Sequence, residues 1–152
     1  MEAIQTLMAA DHRRCDEIFA RAEQFVAEDD LAAALLAFAE FGRVTREHFA
    51  CEEKLLFPAF EERSGMRFGP TEVMRQEHRQ MVDLMQAAEQ ALADGDADGY
   101  CGEVETLLVL MQQHNMKEEN ILYPMCDRHF GAEAENFAQT LSAALHPEEA
   151  RA

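Results

Sequence analysis

The chain has 152 residues, 48% hydrophobic and 28% charged, which is the size of one globular domain with a core of its own. Only seven glycines and four prolines are present, which excludes collagen-like, low-complexity and turn-rich all-β chains. Thirty acidic residues against 13 basic ones give a formal charge of −17, so phosphate backbones and anionic membranes are repelled and neither nucleic acid nor a membrane is an expected partner.

Apolar residues recur at three and four along the whole chain. Leu7, Met8, Cys15, Ile18, Phe19, Ala22, Phe25 and Val26 predict a first helix over about 8–28. Leu31, Leu35, Phe38, Phe41, Val44, His48, Cys51 and Leu55 predict a second over about 31–62. Met74, His78, Met81, Leu84, Met85, Ala88 and Leu92 predict a third over about 71–93. Val104, Leu107, Leu110, Met111, His114, Ile121 and Leu122 predict a fourth over about 100–128. A short fifth helix is expected from about Ala132 to Leu145, ended by Pro147. The breaks at Glu28–Asp30, Ser64–Pro70 and Asp94–Gly99 carry Gly, Pro and Asp as helix punctuation.

An internal repeat organises these elements. Sliding the chain by 66 residues without gaps brings His12 onto His78, His48 onto His114, Glu52-Glu53 onto Glu118-Glu119, Leu56 onto Leu122 and Pro58 onto Pro124. Ala22-Glu23-Gln24 lands on Ala88-Glu89-Gln90, and Arg13 lands on Arg79. Two fused helix hairpins, about 8–62 and 71–128, predict an up-down-up-down four-helix bundle with pseudo-two-fold symmetry and a short extra C-terminal helix. The whole of 1–152 reads as one domain with its core in 8–128.

The repeated residues carry the chemistry. His48 and Glu52 lie four apart on one helix face, and His114 and Glu118 repeat that arrangement. His12 and His78 sit in the apolar stripes of the other two helices. Folding the bundle points four imidazoles and two carboxylates at a common centre. Carboxylates buried without partners cost several kcal/mol, and cations remove that cost. Imidazole with carboxylate suits iron, zinc, manganese or copper rather than calcium. The symmetry predicts two ions, with His12 and His48 on one, His78 and His114 on the other, and Glu52 and Glu118 bridging. Three or four protein ligands per ion leave positions open for water, oxygen, nitric oxide or peroxide.

Together these motifs resemble the hemerythrin-like, or HHE cation-binding, family. They are Asp11-His12, HFACE at 48–52, Glu77-His78 and HNMKE at 114–118, followed by the aromatic–proline steps Phe57-Pro58 and Tyr123-Pro124. The resemblance spans about residues 8 to 128. It implies a four-helix bundle holding two iron ions, ferrous or ferric, with oxo or hydroxo and carboxylate bridges; the ligand set also tolerates zinc or manganese. Met74 and Val82 lie four residues either side of His78, where oxygen-carrying members of the family have a second histidine. The chain therefore resembles the symmetric four-His, two-Glu branch, linked to oxidative or nitrosative stress, iron–sulfur cluster repair and iron or oxygen sensing. The function expected is binding of O2, NO or peroxide, with a redox partner unnamed by the sequence. The alternatives are a di-iron enzyme of nitric oxide reductase or peroxidase type, and an iron donor for cluster repair.

The remaining residues read more plainly. Glu53 and Glu119, one residue past the bridges, should point about 100° away from them, toward the rim. Asp11 and Glu77 are read first as caps, then as charge compensation, then as partners of the ligands. Tyr123 either offers its hydroxyl to the centre or packs at the bundle end. Pro58 and Pro124 should kink their helices just past the ligand turn. Met74, Met81, Met85 and Met111 are expected in the core, and His129 and His146 on the surface. Cys15, Cys51, Cys101 and Cys126 form no CxxC pair, so a reduced, cytoplasmic chain is expected. The first residues, MEAIQTLMAADHRR, show no signal-peptide pattern, and no apolar run reaches transmembrane length.

Overall fold

The structure is a computed structural model that describes residues 2–150. The chain forms α1 (Ala3–Ala27), α2 (Leu31–Cys51), α3 (Phe57–Ser64), α4 (Pro70–Ala93), α5 (Ala97–Lys117), α6 (Tyr123–Phe130), α7 (Ala134–Leu145) and a terminal turn, α8 (Pro147–Ala150). Two π turns, Glu52–Leu56 and Glu118–Leu122, join α2 to α3 and α5 to α6, and a 3-10 turn, Gly131–Glu133, joins α6 to α7.

Local chemistry sets these boundaries, and it repeats. The Asp30 carboxylate accepts from the Ala33 amide at 3.1 Å, and Asp96 accepts from Gly99 at 2.9 Å, so the same cap starts α2 and α5. Gly65 (φ 76°) and Gly131 (φ 56°) end α3 and α6 in a backbone region that favours glycine. Pro70 opens α4, where a missing N–H is harmless. Helix α1 starts five residues earlier than its apolar series predicts. Its first amides are capped from a distance: Ile4 and Gln5 donate to the Asp127 carboxylate at 2.9 and 3.0 Å. This satisfies donors that Glu2 leaves uncapped and sets negative charge against the positive helix end.

The expected second and fourth helices are each interrupted. Pro58 and Pro124 have no N–H to continue an α ladder. The chain answers with a wide turn that begins ahead of each proline: Phe57 N–H bonds to Glu52 O, and Tyr123 N–H to Glu118 O, each five residues back. The wide turns begin at the two glutamates themselves.

Helices α1 and α2 form one hairpin, α4 and α5 the other, and α2 packs on α4 to join them. The result is the all-helical bundle with an extra C-terminal helix that the pattern predicts. Apolar side chains fill two clusters. One contains Phe38, Phe41, Met81, Met85, Tyr100 and Leu107. The other contains Ile4, Met8, Leu56, Phe60, Leu122 and Cys126, roofed by Leu141 and Leu145 of α7. Helices α1, α2 and α4 contribute to both clusters, whereas α5 contributes to the first and its continuation through the π turn and α6 to the second. His12 lies between Met8 and Cys15, His48 between Val44 and Cys51, His78 between Met74 and Met81, and His114 just past Met111. A polar layer is thus held between two dry ones. Among the described residues, no helix is long and apolar enough to cross a membrane.

Candidate metal centre

The structure brings all six residues singled out by the repeat into that layer. His12, His48, Glu52, His78, His114 and Glu118 are all buried, His12 being the most exposed at 5%. They make two overlapping groups. His78, His114, Glu52 and Glu118 place one ligand atom each within 4.8 Å of one another, and so do His12, His48 and Glu118. His78 Nε2 is 3.1 Å from Glu52 Oε1, His114 Nε2 is 3.2 Å from Glu118 Oε1, and His12 Nε2 is 3.1 Å from the same Glu118 oxygen. His48 Nε2 is 3.6 Å from Glu52 Oε1.

The imidazoles are held from behind by four more carboxylates. Their Nδ1 atoms donate to Glu119 (His12, 2.7 Å), Asp11 (His48, 2.7 Å), Glu53 (His78, 2.6 Å) and Glu77 (His114, 2.8 Å). A proton fixed on Nδ1 turns an Nε2 lone pair toward the centre and makes it more basic. All four clamps obey the 66-residue repeat, with Asp11 matched by Glu77. Arg14 bonds Asp11 at 2.8 Å and Lys117 bonds Glu77, compensating two of these outer charges. Glu53 and Glu119 lie at the rim, their side chains 40% and 30% exposed.

Asp11 and Glu77 are thus partners of the histidines first, not the caps that sequence position suggests. Neither caps a helix; each anchors a histidine of the neighbouring helix. Spacing along one helix could not show this, because the partner lies across the hairpin. The duplicated acid beside each first-helix histidine was the only signal. Replacing Asp11 with Asn keeps the shape but removes the charge behind His48. The expected result is a 10- to 100-fold loss of metal affinity in a chelator-competition titration.

The donor set fits a cation. Glu52 Oε1, Glu118 Oε2, His78 Nε2 and His114 Nε2 are buried with no hydrogen-bond partner among the described residues. They converge as acceptors on acceptors, which is costly unless positive charge lies between them. The metal-free chain answers with protons. Burial works against a charged His78, yet the adjacent Glu52 and Glu53 carboxylates raise its pKa to about 9. His12 and His48 are also pushed up against burial, His12 by Glu118 and Glu119, His48 by Glu52 and Asp11. Burial opposes ionisation of Glu52, but His48 and His78 hold its carboxyl well below the usual range.

Aromatic residues close the layer. Phe49 stacks on His78 with centroids 3.9 Å apart, and Phe57 covers the same ring from 5.9 Å. Tyr123 is fully buried, and its hydroxyl stands among the candidate ligands rather than at the wet bundle end. Burial and the two central glutamates push its pKa well up in the metal-free chain. The four methionines lie in the core. Cys15 and Cys51 are buried free thiols pushed up by burial, Cys51 to about 12, so neither is a ready thiolate. His129 is exposed and His146 half-buried, and both lie outside the centre.

A four-helix bundle with a buried, metal-capable His/carboxylate centre at mid-height defines a class of cation-binding protein. The family model described as Hemerythrin HHE cation binding domain matches residues 3–126, and the chain belongs to that family. No curated protein and no solved structure gives a significant match to the chain.

Proposed function

We propose that the chain binds two iron ions in this layer and uses them to take up a small ligand, O2, NO or peroxide, in an oxidative or nitrosative stress response or in sensing. The observation that carries the reading is the set of four buried, unpartnered acceptor atoms on Glu52, Glu118, His78 and His114. His78 and His114 would hold one ion, His12 and His48 the other, with Glu52 and Glu118 between them. Imidazole and carboxylate together suit ferrous and ferric iron, and three or four protein ligands leave positions open. Bound ferrous iron would supply the electrons and the vacant positions that a diatomic molecule or peroxide needs.

The protein's own part is positioning and exclusion of water. The Nδ1 clamps keep each Nε2 aimed inward, and the two apolar clusters keep bulk water off the layer. A groove of about 510 Å³ between α1 and α5 has Phe19, Met111 and Asn115 on its walls. It reaches the back of His12 through Glu119, a route by which a small ligand would enter. We place the protein in the cytoplasm, a reading supported by four free cysteines.

The test is iron content of protein purified without oxygen from iron-supplied cells, followed by titration with NO and with O2. About two irons per chain and a visible spectrum that changes on adding either gas support the reading. Zinc or no metal in such protein, or a spectrum blind to both gases, contradicts it.

A further inference from the structure

The repeat is broken at one telling place inside the centre. Phe57 and Tyr123 are repeat mates, the first residues of α3 and α6, and both are fully buried. Phe57 brings only a hydrocarbon ring to the His78 side. Tyr123 brings an oxygen to the other side. Its hydroxyl lies 2.6 Å from Glu52 Oε2, 3.0 Å from Glu118 Oε1, 3.2 Å from His48 Nε2 and 3.2 Å from His12 Nε2.

One hydroxyl has one proton and cannot serve four acceptors. Donation to Glu52, its shortest contact, leaves the phenol oxygen facing two imidazole lone pairs and a second carboxylate. In the neutral rings the single proton of His12 and of His48 is held on Nδ1, behind the ring, so only a second proton or a cation relieves the crowding. The crowding is unfavourable as a hydrogen-bond network but ordinary for a coordination shell. Ligand atoms about 2.1 Å from a six-coordinate ion lie about 3 Å from one another. The four separations about the Tyr123 hydroxyl scatter around that spacing.

The backbone is built to put the oxygen there. In a regular α-helix, a residue five positions past Glu118 would face about 140° away from it. The π turn Glu118–Leu122 removes that offset, so Tyr123 and Glu118 share a face and touch. The same turn at Glu52–Leu56 delivers Phe57, which has nothing to offer an ion.

We propose that Tyr123 Oη is a metal ligand on the His12/His48 side, so that the two metal positions are chemically unlike. This rests on the reading of the layer as a metal centre. On binding ferric iron, the phenol O–H bond breaks, an O–Fe bond forms from the oxygen's lone pair, and the proton leaves to solvent. No electron is transferred in that step. The His78/His114 side has no such oxygen and keeps its extra position open, which makes it the side where an outside ligand binds first.

The experiment loads wild type, Tyr123→Phe and Tyr100→Phe with ferrous iron, oxidises them in air, and measures iron per chain, visible absorption and resonance Raman spectra. The chain has two tyrosines, and the other, Tyr100, donates to Glu23 at 3.1 Å in the far cluster. The expected result is a phenolate-to-iron charge-transfer band with tyrosinate ring modes in wild type and in Tyr100→Phe. Tyr123→Phe should lose both, keep its circular dichroism, and bind one of its two irons about tenfold or more weakly. Wild type holding two irons without tyrosinate modes overturns the inference and leaves the metal centre standing. Persistence of the band in Tyr123→Phe overturns it equally. Failure of wild type to bind iron removes the centre and this inference together. The wild-type Raman spectrum decides the matter even if Tyr123→Phe does not fold.

Discussion

Glu118→Ala is expected to empty both metal positions, whereas His12→Ala empties one. Glu118 belongs to both ligand groups, and one of its oxygens lies 3.1 Å from His12 Nε2 and 3.2 Å from His114 Nε2. His12 belongs to one group only. Elemental analysis after equal dialysis should therefore give about two ions per chain for wild type, about one for His12→Ala and close to none for Glu118→Ala. Glu118 also serves the metal-free chain, its Oε1 lying 3.1 Å from His12 Nε2 and 3.0 Å from the Tyr123 hydroxyl. Removing one partner of a buried pair is destabilising, so metal-free Glu118→Ala should melt below metal-free wild type. Circular dichroism of the metal-free variants separates loss of metal from loss of the fold. Equal metal loss in both variants, or two ions retained by Glu118→Ala, contradicts a shared ligand.

Much of this arrangement is legible in the sequence because duplication repeats the physics. A single histidine in an apolar stripe says little, but His12, His48, His78 and His114 at one offset, with Glu52 and Glu118 four residues past two of them, define a layer. The breaks at Glu28–Asp30 and Asp94–Gly99 are legible as helix punctuation, though not that Asp30 and Asp96 in them are the caps of equivalent helices. What was not legible depends on geometry across helices. Asp11 and Glu77 sit beside one histidine in sequence and clamp another in space. Ile4 and Gln5 extend α1 because Asp127, over a hundred residues away, caps them. Pro58 and Pro124 announce a break but not its form. Helical periodicity assumes about 100° per residue. It therefore misplaces everything past a π turn, and Tyr123 lies just past one.

Stripping the metal is expected to lower the melting temperature by about 10 °C near neutral pH, and the gap should widen as pH rises. A ligand present at about 1,000 times its dissociation constant stabilises the folded state by about 4 kcal/mol. For a domain of about 150 residues each kcal/mol is worth about 2–4 °C. The pH dependence follows from which charges replace the ions. In the metal-free chain, His12, His48 and His78 titrate above their unfolded value of about 6.5, His78 at about 9. Their contribution is complete below about pH 6.5 and is lost as pH rises through their folded values, about 9 for His78. Asp11, Glu52, Glu77 and Glu119 titrate below their unfolded values, so their contribution is present above about pH 4.5 and lost as pH falls. The metal-free protein should therefore be most stable between about pH 4.5 and 6.5 and weaken toward 9. In the loaded protein the ions hold the Nε2 atoms and no proton is needed there, so that alkaline decline should be largely absent. Toward pH 5 protons compete with the ions for the imidazoles, and the two forms should converge. Calorimetry of chelator-stripped and loaded protein from pH 5 to 9 measures both curves. Parallel curves would mean that the imidazoles do not exchange protons for metal, whereas divergence above pH 6.5 ties the stability of the bundle to what its central layer holds.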